Sequence, residues 1–547
     1  MNHATYYITG GDYEGGGAAS KQLKEVLKKV GVDPKVIRRT MIAAYEAEMN
    51  VVIHARRGVM SVAVDHEQVD VAVEDEGPGI PDIEQAMREG FSTAPVKARE
   101  LGFGAGMGLP NIRENCDRFA VRSVGGKGAE IRFSIFLKPL ARGHEASAGA
   151  TNSIRIVSEQ CNQCLMCLHA CPTGAIRVRN GSPRLLDHLC VDCTACIQVC
   201  DTGALHMGRD EIPAHDDETV LVLPGALLDQ FGAAVEPEDV FDACRELGFK
   251  TTRLLDEWEQ GLRKAVSDYA RQKAKTLPVL SPVCPAVVNL IQLRFPSLLG
   301  QVAPFLSPFE AAREELNVPH VVFAVACPAQ RTSLRLPGLL TKIDVIAPSV
   351  LCGVLLQRLH AAPNKPAGKT RKPTPASPVH DGAAARARDV LQVSGKRHVM
   401  KVLDALENGR VPDCPVLELF ICDHGCFGSP VWTESAFVAA KHHERAFPAP
   451  VLRTTDIRAD GTADSPAGAV NRTMPLKPRA GLRLDPDMRE AIRKLARIDV
   501  LTKALPGRNC GFCGAPACAA LAEDVVLGEA DIRACVYRDK IPTEEGA

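Results

Sequence analysis

Apolar residues recur at helical spacing from Ser20 to Ala55, through SKQLKEVLKKVGVDPKVIRRTMIAAYEAEMNVVIHA, and the rhythm breaks at Gly31 to Pro34. Two helices are expected there. The following VDVAVEDEGPGIPDI alternates apolar and polar positions as a strand does, then runs into acidic residues and glycines. LGFGAGMGLPNI leads a series of glycines into another helix. The longest apolar runs, such as HVVFAVAC and DVIAPSVLCGVLL, fall short of the roughly 18 residues of a membrane span. Two stretches rich in proline and alanine, from Ala361 and from Arg458, lack periodicity and read as linkers or surface insertions. A shorter break, ARGHEASAGATN, follows Leu140.

Composition narrows the function classes. A chain of 547 residues implies roughly three to five domains. With 65 basic against 66 acidic residues and no long block of like charge, the electrostatic footprint of a nucleic-acid binder is missing, and neither DNA nor RNA is expected as a partner. The N-terminus lacks a charged, apolar, cleavable pattern, so a soluble, cytoplasmic protein without a membrane span is expected. Twenty cysteines in tight clusters in a reducing compartment point to bound metal rather than disulfides.

The second predicted helix presents Glu46, Asn50 and His54 at i, i+4 and i+8, on one face. Asp75, Gly77 and Gly79 follow the alternating strand, and Gly102, Gly104, Gly106 and Gly108 precede the next helix. Glycine at that density lets backbone N–H groups approach phosphates, and a helix start adds favourable partial charge. An acid and an amide on a helix, then D-x-G-x-G, then a glycine-rich lid, resembles the GHKL ATPase fold over about residues 1–138, and most closely its anti-sigma-factor serine kinases. The resemblance implies that Asp75 reads the adenine amino group, Asn50 holds Mg²⁺ against the phosphates of ATP, and Glu46 orients the attacking water or hydroxyl. The glycine lid, Gly102 to Gly108, would close on the triphosphate. One departure is Ala129, where the family usually carries a threonine after its G-x-G.

Cys161, Cys164, Cys167 and Cys171, and again Cys190, Cys193, Cys196 and Cys200, are spaced C-x2-C-x2-C-x3-C. Paired C-x2-C units also build zinc sites, but three close thiols and a remote fourth is the spacing that holds a cubane. The doubled quartet resembles two-cluster ferredoxins. That resemblance implies a crossover, with Cys161, Cys164, Cys167 and Cys200 on one [4Fe-4S] cluster and Cys190, Cys193, Cys196 and Cys171 on the other. In the tail, Cys510, Cys513, Cys518 and Cys535 are spaced C-x2-C-x4-C-x16-C on a glycine-rich loop and beyond an amphipathic helix. This resembles the small [4Fe-4S] module appended to several redox enzymes.

Of the eight other cysteines, Cys116, Cys244, Cys352 and, less clearly, Cys414 read as packing residues. Cys284, Cys327 and the pair Cys422 and Cys426 each sit at a bend, in SPVCPAV, AVACPAQRT and LELFICDHGCFGSP. Preceded by a two-cluster ferredoxin, these signatures resemble in order the catalytic domain of [FeFe] hydrogenases, over about residues 215–440. The resemblance implies that the four cysteines hold a cubane. Where that family keeps a proton-passing cysteine, a cyanide-gripping lysine and two pocket methionines, this chain has Val283, Gln330, Val325 and Phe420. A fourth [4Fe-4S] cluster without a diiron centre is therefore expected, and no hydrogen turnover.

The expected architecture is multidomain, α/β and α+β. It comprises an N-terminal α/β sandwich ATPase (1–140), a small α+β two-cluster ferredoxin (153–212) and an α/β hydrogenase-like domain (215–450, with an insertion at 361–387). A linker (451–490) and a small helical Fe–S module (491–541) complete it. The expected cofactors are four [4Fe-4S] clusters and ATP with Mg²⁺. Two functions fit this set. One is a redox-responsive regulator with serine-kinase or ATPase-like activity, associated with hydrogen metabolism. The other is an electron-transfer accessory subunit of a hydrogenase or other oxidoreductase complex. Both require a protein partner.

Overall fold

The computed structural model describes residues 2–137, 152–361, 390–446 and 470–537, apart from 66, 89, 97, 99–103, 105, 124, 127, 209–210, 233–234, 273, 275, 335–341, 411, 480 and 482. The predicted insertion at 361–387, apart from its first residue, and much of the predicted linker at 451–490 lie outside the described residues, as does Gly102 of the lid. The chain divides into two compact units, one of residues 1–146, 404–410 and 479–547, the other of 147–403 and 411–478.

In the first unit, strands β1 (Asn2–Thr9), β2 (Arg57–Val64), β3 (Gln68–Asp75), β4 (Arg118–Ser123) and β5 (Ala129–Phe136) form one antiparallel sheet in the order β1-β2-β3-β5-β4. Alternation in β2 and β3 buries Met60, Val62, Val64, Val69, Val71 and Val73. These side chains share a core with helices α1 (Ala18–Lys29) and α2 (Pro34–His54). The expected break between the helices is a left-handed Gly31 (φ 77°), with the Gly31 N–H donating to Lys28 O and the Val32 N–H to Leu27 O. A glycine in that conformation closes a helix without a Cβ clash. Pro34 and the Asp33 carboxylate, which accepts from the Lys35 N–H at 2.8 Å, then start α2.

Helix α1 has no N-cap side chain of its own. Its first-turn amides are satisfied from α2 instead: buried Glu48 accepts from the N–H groups of Gly17, Ala19 and Ser20 at 3.0, 3.0 and 2.9 Å. Residues 404–410 join this unit through the buried Lys24–Glu407 ion pair and Arg410 stacked over Tyr45. Residues from 479 onward join it through a shared core, which includes Leu484, Ala491, Leu495, Ile498 and Leu521.

The second unit begins with two antiparallel pairs, Ile154–Ile156 with Leu205–Met207 and, between them in the chain, the hairpin of Ile176–Arg179 with Ser182–Leu185. It continues into two parallel sheets. One orders Thr251–Leu254, Val220–Leu223, His320–Ala324 and Lys342–Ile346. The other orders Val279–Leu280, Val416–Phe420 and Val390–Ser394. The apolar run HVVFA is buried at every position, as expected for a parallel strand covered on both faces. Cys244 and Cys352 are buried in this unit, as packing residues should be, whereas Cys116 and Cys414 are only half-buried.

Replacing Glu48 with alanine leaves several inner N–H donors without a partner and should cost the first unit roughly 2–3 kcal/mol. Glu48→Gln should cost less because it keeps an acceptor. Denaturant titration followed by hydrogen exchange in α1 measures both, and equal stability of wild type and Glu48→Ala would contradict the anchoring role.

Candidate functional site

The acidic face of α2 meets the glycine-led helix Gly108–Glu114. The Asn111 side-chain amide donates to Glu46 Oε1 at 2.8 Å. A Cβ on Gly108 would come within 3.2 Å of Asn50 Oδ1 and 3.4 Å of Glu46 Oε2, so glycine here brings the backbone close to both side chains. Burial raises the Glu46 carboxyl above the usual range, and the Asn111 hydrogen bond acts in the opposite direction. Asn111 is a residue that spacing alone does not single out, because its partner is 65 positions away.

Asp75 ends β3. Burial raises its carboxyl, while the amides of Gly77 and Ala129 and the His54 ring act to lower it. The Gly77 N–H reaches Asp75 Oδ1 at 2.8 Å. Gly128 has φ 90° and lies so near Asp75 O that a Cβ would stand 1.9 Å from it. The hydroxyl absent at Ala129 has a neighbour in Ser123, whose Oγ accepts from the Ile80 N–H at 2.6 Å and donates to Gly128 O at 3.1 Å. Gly79, Gly104 and Gly106 all adopt positive φ. A Cβ at Gly106 would stand 2.4 Å from the Gly90 carbonyl carbon. A cavity of about 620 Å³ elsewhere in this unit, lined by Thr5, Ser61, Asp70, Arg118 and Arg132 among others, contains none of these residues.

The thiols are carried by loops of unusual backbone. Among the described residues, seven non-glycine residues have positive φ, and six of them lie within two positions of predicted ligands: Gln163, Leu165, Asp192, Thr194, His424 and Asn509. Gln163 and Leu165 flank Cys164 just as Asp192 and Thr194 flank Cys193, so the sequence repeat is also a conformational repeat. These turns aim amides at sulfur. The Gln163 N–H donates to Cys161 Sγ and the Asp192 N–H to Cys190 Sγ, both at 3.4 Å, and the Ala175 N–H to Cys171 Sγ at 3.2 Å. Such donors stabilise ligating sulfur and set cluster potentials.

The thiols of the two runs act on one another electrostatically. Burial pushes Cys167 up to about 11, with Cys164, Cys161 and Cys200 adding to the rise. Burial likewise raises Cys193 to about 12, with Cys171 adding, and raises Cys196, which senses Cys193, Cys171 and Cys167. Cys167 of the first run thus feels Cys200 of the second, and Cys193 and Cys196 of the second feel Cys171 of the first. Cys200 itself is lowered: burial acts upward, but the Thr202 hydroxyl and the amides of Leu205, Ala204 and Thr202 outweigh it.

Cys284 caps the helix Pro285–Arg294 directly after strand Val279–Leu280, and Cys327 caps Pro328–Ser333 after His320–Ala324. Cys422 and Cys426 follow Val416–Phe420. The carboxyl ends of parallel strands from both sheets thus converge, as ligand sites in such sheets do. Burial raises Cys327 well above the ordinary thiol range and Cys422 to about 12, with Cys284 prominent among the charges adding to both. Cys426 is also raised, first by burial, then by Glu259 and the other three thiols. Thr194 Oγ1 lies 3.7 Å from Cys422 Sγ, so this quartet adjoins the second ferredoxin-type run.

Val283, Val325 and Phe420 are all buried in apolar clusters. Gln330 accepts from the Ala326 N–H at 2.6 Å and turns its amide toward Cys426 Sγ at 4.0 Å. The acid that acts on Cys426 is Glu259, itself raised above the carboxylate range by burial and then by Asp256, with the Arg263–Glu418 ion pair acting on it in turn. No local spacing marks them.

Cys510, Cys513, Cys518 and Cys535 line one small cavity. Left-handed Gly511 and Gly514 flank Cys513, and Asn509 Oδ1 ties the loop to the Cys518 N–H at 2.8 Å. Burial raises Cys513, and Cys510 and Cys535 add to the rise. Four closely set thiols that repel one another when ionised suit the positive core of an iron–sulfur cluster. Among the described residues no group of three or more His, Cys, Asp or Glu forms a single-ion site, and none of the helices is long and apolar enough to cross a membrane.

Three family models match the chain: a histidine kinase-like ATPase domain over residues 14–135, a 4Fe-4S dicluster domain over 160–205 and a putative Fe-S cluster over 505–537. Serine/threonine-protein kinase RsbT of Bacillus subtilis (strain 168) is 34% identical over 123 residues, 21% of this chain and 84% of the relative. An anti-sigma F factor of Thermoanaerobacter sp. (strain X514) is 31% identical over 113 residues, 19% of this chain and 76% of the relative. A 39-residue stretch is 54% identical to a component of the Na(+)-translocating ferredoxin:NAD(+) oxidoreductase complex of Acetobacterium woodii, 7% of this chain and 12% of that component. Among solved structures, a variant of [FeFe]-hydrogenase HydA1 from Chlamydomonas reinhardtii aligns with TM-score 0.35 and 14% identity, covering 46% of this chain and 90% of that one.

Cys200→Ala and Cys171→Ala should each remove about four irons per chain, the first from the cluster of the Cys161 run, the second from that of the Cys190 run. Combining Cys200→Ala with Cys161→Ala should lose no more iron than either alone. Additive losses would show that these two thiols serve different clusters.

Proposed function

The chain belongs, through its N-terminal domain, to the histidine kinase-like ATPase family, and on that premise we propose that this ATP-binding iron–sulfur protein is a redox-responsive regulator associated with hydrogen metabolism. It would hold four [4Fe-4S] clusters, and its kinase-like site would transfer phosphate according to their state. The observation that carries this reading is the retained acid. Glu46 is oriented by Asn111 at 2.8 Å and stands with Asn50 beside the Gly108 backbone, an arrangement that nucleotide binding alone does not need.

In the proposed chemistry Asp75 holds the adenine, and Gly104, Gly106 and Gly108 offer backbone amides to the triphosphate. Asn50 would hold Mg²⁺, whose charge offsets that of the phosphates. The γ-phosphoryl group leaves the β-phosphate oxygen and bonds to water or to a partner's hydroxyl, whose proton passes to Glu46. RsbT, named a serine/threonine-protein kinase, makes a protein hydroxyl the favoured acceptor.

The third thiol set supports a cluster that carries electrons without hydrogen chemistry. Proton reduction needs an acid aimed at the metal and a polar clamp on its ligands. Val283, Val325 and Phe420 provide neither, and Gln330 is engaged with the Ala326 amide. A second reading, an electron-transfer accessory subunit of a hydrogenase or other oxidoreductase complex, draws on the 3.7 Å approach of Thr194 to Cys422, which makes the two cluster sites neighbours.

Anaerobically reconstituted protein should contain about sixteen irons per chain, show no CO or cyanide infrared bands and evolve no H2; either band set, or H2, would overturn the non-catalytic claim. ATP turnover should differ between oxidised and reduced protein. Glu46→Gln should lower it by about 10²-fold or more, with nucleotide affinity changed by less than about threefold. Turnover independent of redox state, together with electron delivery to an acceptor, would favour the accessory subunit.

A further inference from the structure

The Fe–S tail and the nucleotide domain share one hydrophobic core. The helix Met488–Ala504 buries Ala491, Leu495 and Ile498 in the same cluster as Leu23 and Leu27 of α1 and Ile8 of β1. Two polar contacts fix the C-terminal end of α1 to this tail. Lys29 Nζ pairs with Glu523 Oε2 at 2.6 Å, and the Leu484 N–H donates to Lys29 O at 3.0 Å. Just beyond, Arg483 packs so closely over Gly31 that a Cβ there would stand 2.7 Å from its Nε. Glu523 lies on the helix Cys518–Val526, which begins at one of the four thiols.

The other end of α1 is held by Glu48, which accepts three of its first N–H groups. Glu48 stands on α2 between Glu46 and Asn50. A 12-residue helix spans about 18 Å, and this one is gripped at both ends by charged groups. One grip belongs to the Fe–S tail, the other to the helix that carries the candidate catalytic acid. Cluster ligands organise a small module only while the metal is bound. Half-buried Cys513 and Cys518 and buried Cys535 pack at the edge of the common core, so the tail cannot rearrange without disturbing it.

From this arrangement we propose that occupancy of the C-terminal cluster controls nucleotide binding through α1: with the cluster loaded, α1 braces α2 in the ATP-competent position, and with iron lost, the brace slackens and affinity falls. This deepens the regulatory reading and rests on it, by naming which cluster governs the nucleotide site and by what route. It makes the tail a sensor of iron or of oxidative cluster loss. Coupling of two sites requires an element that both bias, and α1 is that element.

The test uses the full-length chain, reconstituted anaerobically, with a fluorescent ATP analogue and Mg²⁺ as the probe. Cys510→Ala should lower iron by about four per chain, raise the analogue's Kd about tenfold and accelerate hydrogen exchange in α1. Lys29→Glu and Glu523→Lys should each raise Kd with the iron content unchanged, and the double exchange should restore most of the affinity. The charge-swap pair keeps the test decisive where Cys510→Ala folds poorly. Kd within twofold of wild type in an iron-depleted Cys510→Ala chain, or strictly additive charge swaps, would overturn the proposal. A wild-type chain that binds no analogue, or a Cys510→Ala chain that loses no iron, would instead refute the ATP-binding iron–sulfur reading, and the proposal with it.

Discussion

Buried thiolates cannot stand side by side without a positive charge among them, and much of this molecule is arranged around that constraint. Desolvation alone disfavours each ionised sulfur, and its neighbours add to the penalty. The raised thiols at Cys167, Cys193, Cys422 and Cys513 express it. Iron supplies the missing charge, and the protein supplies the geometry. Loops take up left-handed conformations at Asp192, His424 and Asn509, residue types that tolerate them, and at Gln163, Leu165 and Thr194, which ordinarily avoid them. Each such residue costs about 1–2 kcal/mol, a strain that is offset if cluster binding contributes on the order of ten kcal/mol, as structural metals do.

The two units answer this constraint differently. In the second, the thiols sit on ferredoxin-type turns and at the carboxyl ends of parallel strands, so rigid secondary structure aims them. Val283, Val325 and Phe420 make part of the surroundings of Cys284 and Cys327 apolar and closely packed. In the first, the tail's four thiols draw their rigidity from a core shared with the nucleotide domain. Phosphoryl transfer depends on position more than on covalent chemistry, so a site of that kind responds to small displacements of the helix that bears its acid. Under the proposed coupling, joining a metal-dependent module to that helix through α1 would make position itself the signal.

What could be read along the chain was what acts over short distances. The Gly31 to Pro34 break, the i, i+4 placing of Glu46 and Asn50, the alternation of β3 and the paired Cys spacings each depend on backbone period or on the reach of one loop. These features suffice for the multidomain plan and for an ATP-binding iron–sulfur protein. Asn111 against Glu46, Ser123 against Ile80, and Glu259 near Cys426 escaped the same reading. Each partner comes from another element, and no period links them.

The sequence by itself determined which residues can bend, ionise or ligate, because those are properties of side chains and of neighbours within a turn or two. Only the tertiary structure decided which distant groups share a low-dielectric space. It seated Glu48 under the start of α1 and drew residues 479–547 and 404–410 into the core of the N-terminal unit. The physical reason is that burial and charge pairing act through space. A contact such as Lys29 with Glu523, nearly five hundred residues apart, is chosen by what the folded chain must cover and neutralise, and no local pattern records it.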